Sequence, residues 1–156
     1  MVPTLEWPTV FVCAVLLCYV PHLALRVPAV HSKLATEKKN AGATAKGLLG
    51  GYEIRSPRVA QAAAVDDSPE GRYIARLSGH HDNSHEIFPI LVAAVLGALQ
   101  RGVGKEVVNF WATLWLLSRV VYTLLYITGS SKAFGNARAL VWAVGLGLLC
   151  YLIACA

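Results

Sequence analysis

Four predominantly apolar stretches constrain this chain more than any other feature of its sequence. The hydrocarbon core of a bilayer is ~30 Å thick, and a helix needs about 20 residues to cross it. Only 15% of the 156 residues are charged, whereas soluble domains carry about a quarter. We therefore predict an all-α, integral membrane four-helix bundle that forms a single domain over residues 1–156. The predicted helices cover about residues 8–27, 73–99, 107–128 and 136–156.

The first predicted helix is expected to remain in the mature protein. No basic stretch precedes it and no small-residue cleavage site follows it, so it differs from a signal peptide. Pro21 is expected to kink this helix, and Pro28 is expected to help end it.

Positive charge is concentrated in a long loop predicted over about residues 30–70. The formal net charge is +5, and this segment holds Lys33, Lys38, Lys39, Lys46, Arg55 and Arg58. Basic loops beside membrane helices usually face the cytoplasm, so both termini are expected on the opposite side. The loop could dock a partner or anionic membrane lipids. No nucleic-acid-binding motif accompanies the charge, and no nucleic acid partner is expected.

The second predicted helix contains polar residues at a depth where lipid is expected. Residues 87–99 are too short to span a bilayer, so the helix must extend back through residues 76–86. Because each helical residue turns about 100°, Arg76, Asn83 and Glu86 share one face. A cation, an amide and a carboxylate at this depth must face protein or water. We therefore predict that this face lines a polar cavity.

The third and fourth predicted helices carry further polar residues. Arg119, Tyr122 and Tyr126 form a column at offsets of three and four, and Arg138 lies at the start of the fourth helix. Each has a simpler interpretation: Arg119 could pair with Glu86 only to fix packing, and Arg138 could snorkel to lipid phosphates. The tyrosines could be packing residues. A shared polar cavity explains all of these residues together.

His81 and His85 stand at the i, i+4 spacing of some metal sites, with Asp82 or Glu86 as possible further ligands. Both histidines point away from the predicted cavity face, so we interpret them as solvated and predict no metal site. The cysteines lie in apolar runs without disulfide or zinc spacing, and we expect them to act as small apolar groups. They are Cys13, Cys18, Cys150 and Cys155.

Three segments of the chain resemble the MAPEG family, the membrane-associated proteins in eicosanoid and glutathione metabolism. In the first, residues 76–89, an asparagine is followed three residues later by a glutamate; the others are residues 118–126 and 136–142. The match covers roughly residues 72–147 and is closest to the general, microsomal glutathione transferase-like branch. This chain has Gly79 where some catalytic members have an arginine, and Ile87 where the leukotriene-making branch has a tyrosine.

The resemblance implies a homotrimer that binds glutathione, as co-substrate, between neighbouring subunits. By position, Arg138 matches the arginine that stabilises the glutathione thiolate, which makes it the expected catalytic residue. The thiolate would attack a lipophilic electrophile or reduce a hydroperoxide. The resemblance matches Asn83, Glu86, Arg119, Tyr122 and Tyr126 to the glutathione site, and Arg76 joins them from the shared helix face.

The family also includes a member that binds lipid and activates a partner enzyme without catalysis. A non-catalytic lipid-binding or adaptor protein is therefore the alternative function. The expected location is the endoplasmic reticulum or another internal membrane in a eukaryote, or the inner membrane in a bacterium.

Overall fold

The computed structural model describes residues 4–40 and 65–154, and all regular elements in these residues are helices. This confirms the predicted all-α fold class. The elements are α1 (Trp7–Pro21), a π-helical turn (His22–Arg26), α2 (Val27–Asn40), α3 (Pro69–Gln100), α4 (Lys105–Thr128) and α5 (Lys132–Ala154).

In the part of the chain that the structure describes, three helical stretches are long and apolar enough to cross a membrane: Trp7–Thr36, Lys105–Thr128 and Lys132–Ala154. The remaining helix, α3, has 32 residues and is therefore about 48 Å long, which exceeds the thickness of a hydrocarbon core. Large apolar side chains on the outer faces of α4 and α5 are exposed, among them Leu117, Leu124 and Leu140. Such exposed apolar surface suits contact with lipid.

The first predicted helix was expected to end near Pro28, but helical geometry continues past this residue. After Pro21 the hydrogen-bond pattern widens into the π-helical turn, and α-helical geometry resumes at Val27 and continues to Asn40. Pro28 is the second residue of α2, directly after the π-helical turn, and it does not end the helix. The predicted start of a loop at residue 30 is therefore wrong. Residues 41–64, which hold part of the basic segment, lie outside the described residues.

The turn between α3 and α4 depends on one glycine. Gly102 has a φ of +83°, a conformation that side chains with a Cβ rarely adopt. Its N–H donates to Leu99 O at 3.1 Å, and the Val103 N–H donates to Ala98 O at 3.1 Å. These bonds satisfy carbonyls at the end of α3 in the pattern of a Schellman motif.

Two compact units are present in the chain: Met1–Tyr19 with His80–Ala156, and Val20–Gly79. The first unit, here called the main unit, has an apolar core built from all four of its helical segments. Its fully buried side chains include Val10, Leu91, Val95, Val108, Leu149 and Leu152. The second unit has a small core in which Val30 packs with Ile74.

Helices α4 and α5 pack closely at Gly145, which is buried. A Cβ added at Gly145 would lie 3.1 Å from Ser118 Oγ and 3.8 Å from Trp115 Nε1. Gly147, two residues along the same helix, has nothing within 4 Å of an added Cβ. The absence of a side chain at Gly145 therefore allows the two helices to approach, as small residues commonly do in membrane bundles.

Candidate functional site

Arg119 is buried in the main unit, with 4% of its surface exposed. Its guanidinium carbon lies 3.9 Å from the centre of the Tyr122 ring and 6.0 Å from that of Trp115. Both terminal nitrogens are buried and have no hydrogen-bond partner among the described residues. Cation–π attraction offsets only part of the cost of burying a charge, so this site favours an anion.

A pair of tyrosines lies between Arg119 and Arg138. The Tyr122 hydroxyl donates to the Tyr126 hydroxyl at 3.3 Å, and the two ring centres are 4.9 Å apart. From α5, the guanidinium carbon of Arg138 lies 4.4 Å from the centre of the Tyr126 ring. One Arg138 nitrogen, NH1, is buried without a partner in the described part of the chain. These four residues are called the arginine–tyrosine stack below.

The stack follows from local geometry and from one packing contact. The offsets of three and four on α4 place Arg119, Tyr122 and Tyr126 on one side of that helix. Arg138 reaches the same side because α5 packs against α4. The structure thus brings together four of the predicted site residues and combines the predicted columns of the third and fourth helices.

His80 is a buried neighbour of the stack that was not predicted as a site residue. It is 1% exposed, and its ring centre lies 5.6 Å from that of Tyr126. The Thr123 hydroxyl donates to the Arg119 carbonyl at 2.8 Å, so His80 Nε2, at 2.9 Å, must be the donor to Thr123 Oγ1. In the neutral ring, Nδ1 is then an acceptor, and it has no partner among the described residues. In the sequence, the offset of three residues between His80 and Asn83 could have indicated that His80 lies on the predicted cavity face.

Asn83 and Glu86 occupy a different position from the stack. Asn83 is half-buried, and Glu86 is exposed on the surface of the single chain. No ion pair joins Glu86 to Arg119 within residues 4–40 and 65–154. The simple packing pair considered from the sequence is therefore not what holds Arg119. The sequence predicts that Glu86 lies at membrane depth, where an exposed carboxylate is costly.

Arg76 belongs to the second unit. Its guanidinium carbon lies 5.5 Å from the centre of the Tyr73 ring in the same unit. Its predicted place in a shared site with Asn83 and Glu86 stays a prediction.

A small cleft in the main unit reaches Arg119. Its volume of about 10 Å³ has room for roughly one water molecule. One chain therefore does not enclose a peptide-sized ligand in this cleft. The lining residues are Ala14, Leu17, Ser84, Ile87, Phe88, Trp115, Arg119 and Thr123.

The cysteines in the described residues, Cys13, Cys18 and Cys150, are free thiols. Cys155 lies outside the described residues. Cys18 differs from the expectation of a purely apolar role, because its Sγ lies 3.6 Å from His81 Nδ1.

These features define a class: a helical integral membrane protein with cationic and aromatic side chains packed together between two of its spans. A family model described as the MAPEG family matches residues 9–156, nearly the whole chain. The chain belongs to the MAPEG family, which confirms the resemblance found in the sequence and extends it to the first helix. Comparison with curated proteins and with solved structures found no match.

Proposed function

We propose that this protein is a membrane-bound glutathione transferase and peroxidase that acts on lipophilic electrophiles. The observation that carries the proposal is the arginine–tyrosine stack, in which both guanidinium groups keep buried N–H donors that have no partner within residues 4–40 and 65–154. A buried donor that lacks a partner costs about 1–3 kcal/mol, and more when it is charged. An anionic ligand would offset this cost. Membership of the MAPEG family makes glutathione the anion to consider first.

The chemistry of glutathione suits the predicted residues. The tripeptide carries two carboxylates, one ammonium group and a thiol. A guanidinium such as that of Arg119 can hold a carboxylate through two parallel hydrogen bonds. Glu86 can accept from the ammonium group, and Asn83 can both donate to and accept from a peptide group. Arg76, Tyr122 and Tyr126 complete the proposed glutathione-binding set.

Arg138 is the proposed catalytic residue, placed beside the thiol. A nearby fixed cation favours the thiolate and lowers the pKa of a thiol, so more of the nucleophile is present at neutral pH. In transfer, the sulfur forms a bond to the electrophilic carbon and the leaving group departs with the bonding electron pair. In peroxide reduction, two glutathione molecules and one hydroperoxide give glutathione disulfide, an alcohol and water.

A neighbouring copy of the chain would complete the site, and we propose a homotrimer on this basis. The cleft beside Arg119 is too small for a tripeptide, and Glu86 is exposed on the single chain. A second protomer covering Glu86 would remove a costly exposed carboxylate and enclose the ligand between subunits. The lipophilic substrate would enter from the membrane lipids, since the outer faces of α4 and α5 are apolar.

The test is a glutathione titration in detergent, followed through the ultraviolet absorbance of the thiolate. We expect a saturable thiolate signal with the wild type, and its loss together with about a 10²-fold fall in turnover in Arg138→Ala. Lys132→Ala is the matched control, because Lys132 is an exposed cation on the same helix. A wild-type protein with no thiolate signal and no turnover over a broad electrophile panel would contradict the proposal. That result would favour the alternative function, a non-catalytic lipid-binding or adaptor protein.

A further inference from the structure

Three side chains that commonly bind metal ions converge in the main unit, at a place not used by the proposed glutathione chemistry. Cys18 comes from α1, and His81 and His85 come from α3. One ligand atom from each lies within 4.8 Å of the others. The Cys18 Sγ to His81 Nδ1 distance is 3.6 Å, and the two histidine Nε2 atoms are 3.2 Å apart.

The Cys18 Sγ to His81 Nδ1 spacing resembles that around a tetrahedral zinc ion, whereas the short contact with His85 involves the other nitrogen of His81. Zinc binds sulfur at about 2.3 Å and imidazole nitrogen at about 2.0–2.1 Å, so its ligand atoms stand about 3.4–3.6 Å apart. The Cys18–His81 spacing already has this value. Each histidine coordinates through one nitrogen, and rotation of the rings within the 4.8 Å cluster would bring the third ligand into position.

The arrangement combines a pattern visible in the sequence with a contact between helices. The i, i+4 spacing places both imidazoles on one side of α3, as in helical zinc motifs. The Tyr19 ring packs edge-on against both of them, with ring centres 5.6 Å from His81 and 5.3 Å from His85. Asp82 and Glu86, the ligands considered from the sequence, are not part of the cluster.

We propose that Cys18, His81 and His85 form a zinc site with one thiolate ligand, two imidazole ligands and an open fourth position for water. One soft sulfur and two imidazole nitrogens form a donor set that suits Zn²⁺. Binding replaces the thiol proton of Cys18, which is released to solvent. The bound ion would join the first membrane-spanning helix to α3 near Tyr19 and would stabilise the folded protein.

The test uses the full-length protein in detergent, stripped of metal with a chelator and kept free of glutathione and other thiols. We expect one equivalent of Zn²⁺ to bind per chain, and Co²⁺ to give a thiolate-to-cobalt charge-transfer band. Cys18→Ser should lose the band and weaken Zn²⁺ binding about a hundredfold or more, since even outer-shell changes cost 10–100-fold. Cys13→Ser is the matched control, because Cys13 is a free thiol on the same helix. Wild-type protein that binds no Zn²⁺, or Cys18→Ser protein that binds it equally well, would overturn the proposal.

A second variant keeps the test valid if Cys18→Ser folds poorly. His85 is exposed, so His85→Ala should fold normally. Zn²⁺ should raise the melting temperature of the wild type and of Asp82→Ala, because an ion that binds only the folded state stabilises it. In His85→Ala, this rise should be lost. An equal rise in all three proteins would exclude the site. Because glutathione is absent, the result is independent of the proposed transferase activity.

Discussion

The guanidinium carbon of Arg138 lies 4.4 Å from the centre of the Tyr126 ring, which joins α5 to α4 through a cation–π contact. The Arg138 NH1 atom is buried. Of the two interpretations considered for Arg138 from the sequence, this position favours a place in a polar cavity over snorkelling to lipid phosphates. Tyr126 is therefore expected to position the proposed catalytic arginine.

Replacing Tyr126 should separate the role of its ring from that of its hydroxyl. Tyr126→Leu should lower turnover about tenfold, because a desolvated cation–π contact is worth ~1–2 kcal/mol. Tyr126→Phe keeps the ring and should retain most of the activity. Steady-state kinetics with glutathione and a lipophilic electrophile would measure both. Equal losses in the two variants would show that the hydroxyl, rather than the ring, positions Arg138.

Arg119 should lower the stability of the ligand-free protein while favouring an anionic ligand. Its terminal nitrogens are buried without partners in the described part of the protomer. Arg119→Met should therefore raise the free energy of unfolding without ligand by about 1 kcal/mol or more, since apolar replacements of buried charges are often stabilising. The stabilisation that glutathione gives to the wild type should disappear. Melting temperatures in detergent, with and without glutathione, would measure both effects.

Arg101→Met is the control for this experiment, because Arg101 is exposed at the end of α3. It should leave the glutathione-dependent rise in melting temperature unchanged. An Arg119→Met protein that is still stabilised by glutathione would contradict an anion-binding role for Arg119.

Two glycines of α5 should respond differently to the same substitution. At Gly145 an added Cβ would lie 3.1 Å from Ser118 Oγ, whereas at Gly147 nothing lies within 4 Å. Gly147→Ala should stabilise the helix by up to about 1 kcal/mol, the usual difference in helix propensity. Gly145→Ala should show no such gain, and Gly145→Val should lower the melting temperature through crowding against α4. Equal melting temperatures for Gly145→Val and Gly147→Val would contradict close packing at this point.

The Lys33–Asp66 ion pair in the second unit should be detectable by titration. Lys33 Nζ lies 2.5 Å from Asp66 Oδ1, and the Ser68 hydroxyl and amide donate to the same oxygen. The lysine and then the serine donors hold the pKa of Asp66 at about 2, below its ordinary value of 3.8. Carboxyl NMR should find this midpoint in the wild type and a higher one in Lys33→Met. Lys105→Met, a change in the other unit, should leave it unchanged.

The sign of the resulting pH dependence follows from the lowered pKa. A carboxyl whose pKa is lower in the folded state stabilises that state above its unfolded pKa, here 3.8. The contribution is lost as the pH falls from that value through about 2. An unchanged midpoint in Lys33→Met would show that Ser68 alone lowers the pKa of Asp66.

The sequence was sufficient to predict the composition of each polar column and most of the helices, but not the continuation of the first one to Asn40. The spacing of Arg119, Tyr122 and Tyr126 places them on one side of any α-helix, because helical periodicity is a local property. The continuation of the helix past Pro28 was mispredicted because it follows a π-helical turn, a change of hydrogen-bond pattern that hydropathy and residue type do not reveal. His80 was not predicted as a site residue because its burial depends on Thr123, 43 residues away.

What the sequence alone determined is where most of the helices form, which stretches are apolar enough to cross a bilayer, and which residues share a face. These properties depend on hydropathy and on the fixed turn of about 100° per residue. Only the tertiary structure decided that Arg138 lies against Tyr126 and that Cys18 lies beside His81. Such pairs depend on the rotation and depth of one helix against another, which packing at positions such as Gly145 sets and which no periodicity within a single helix encodes.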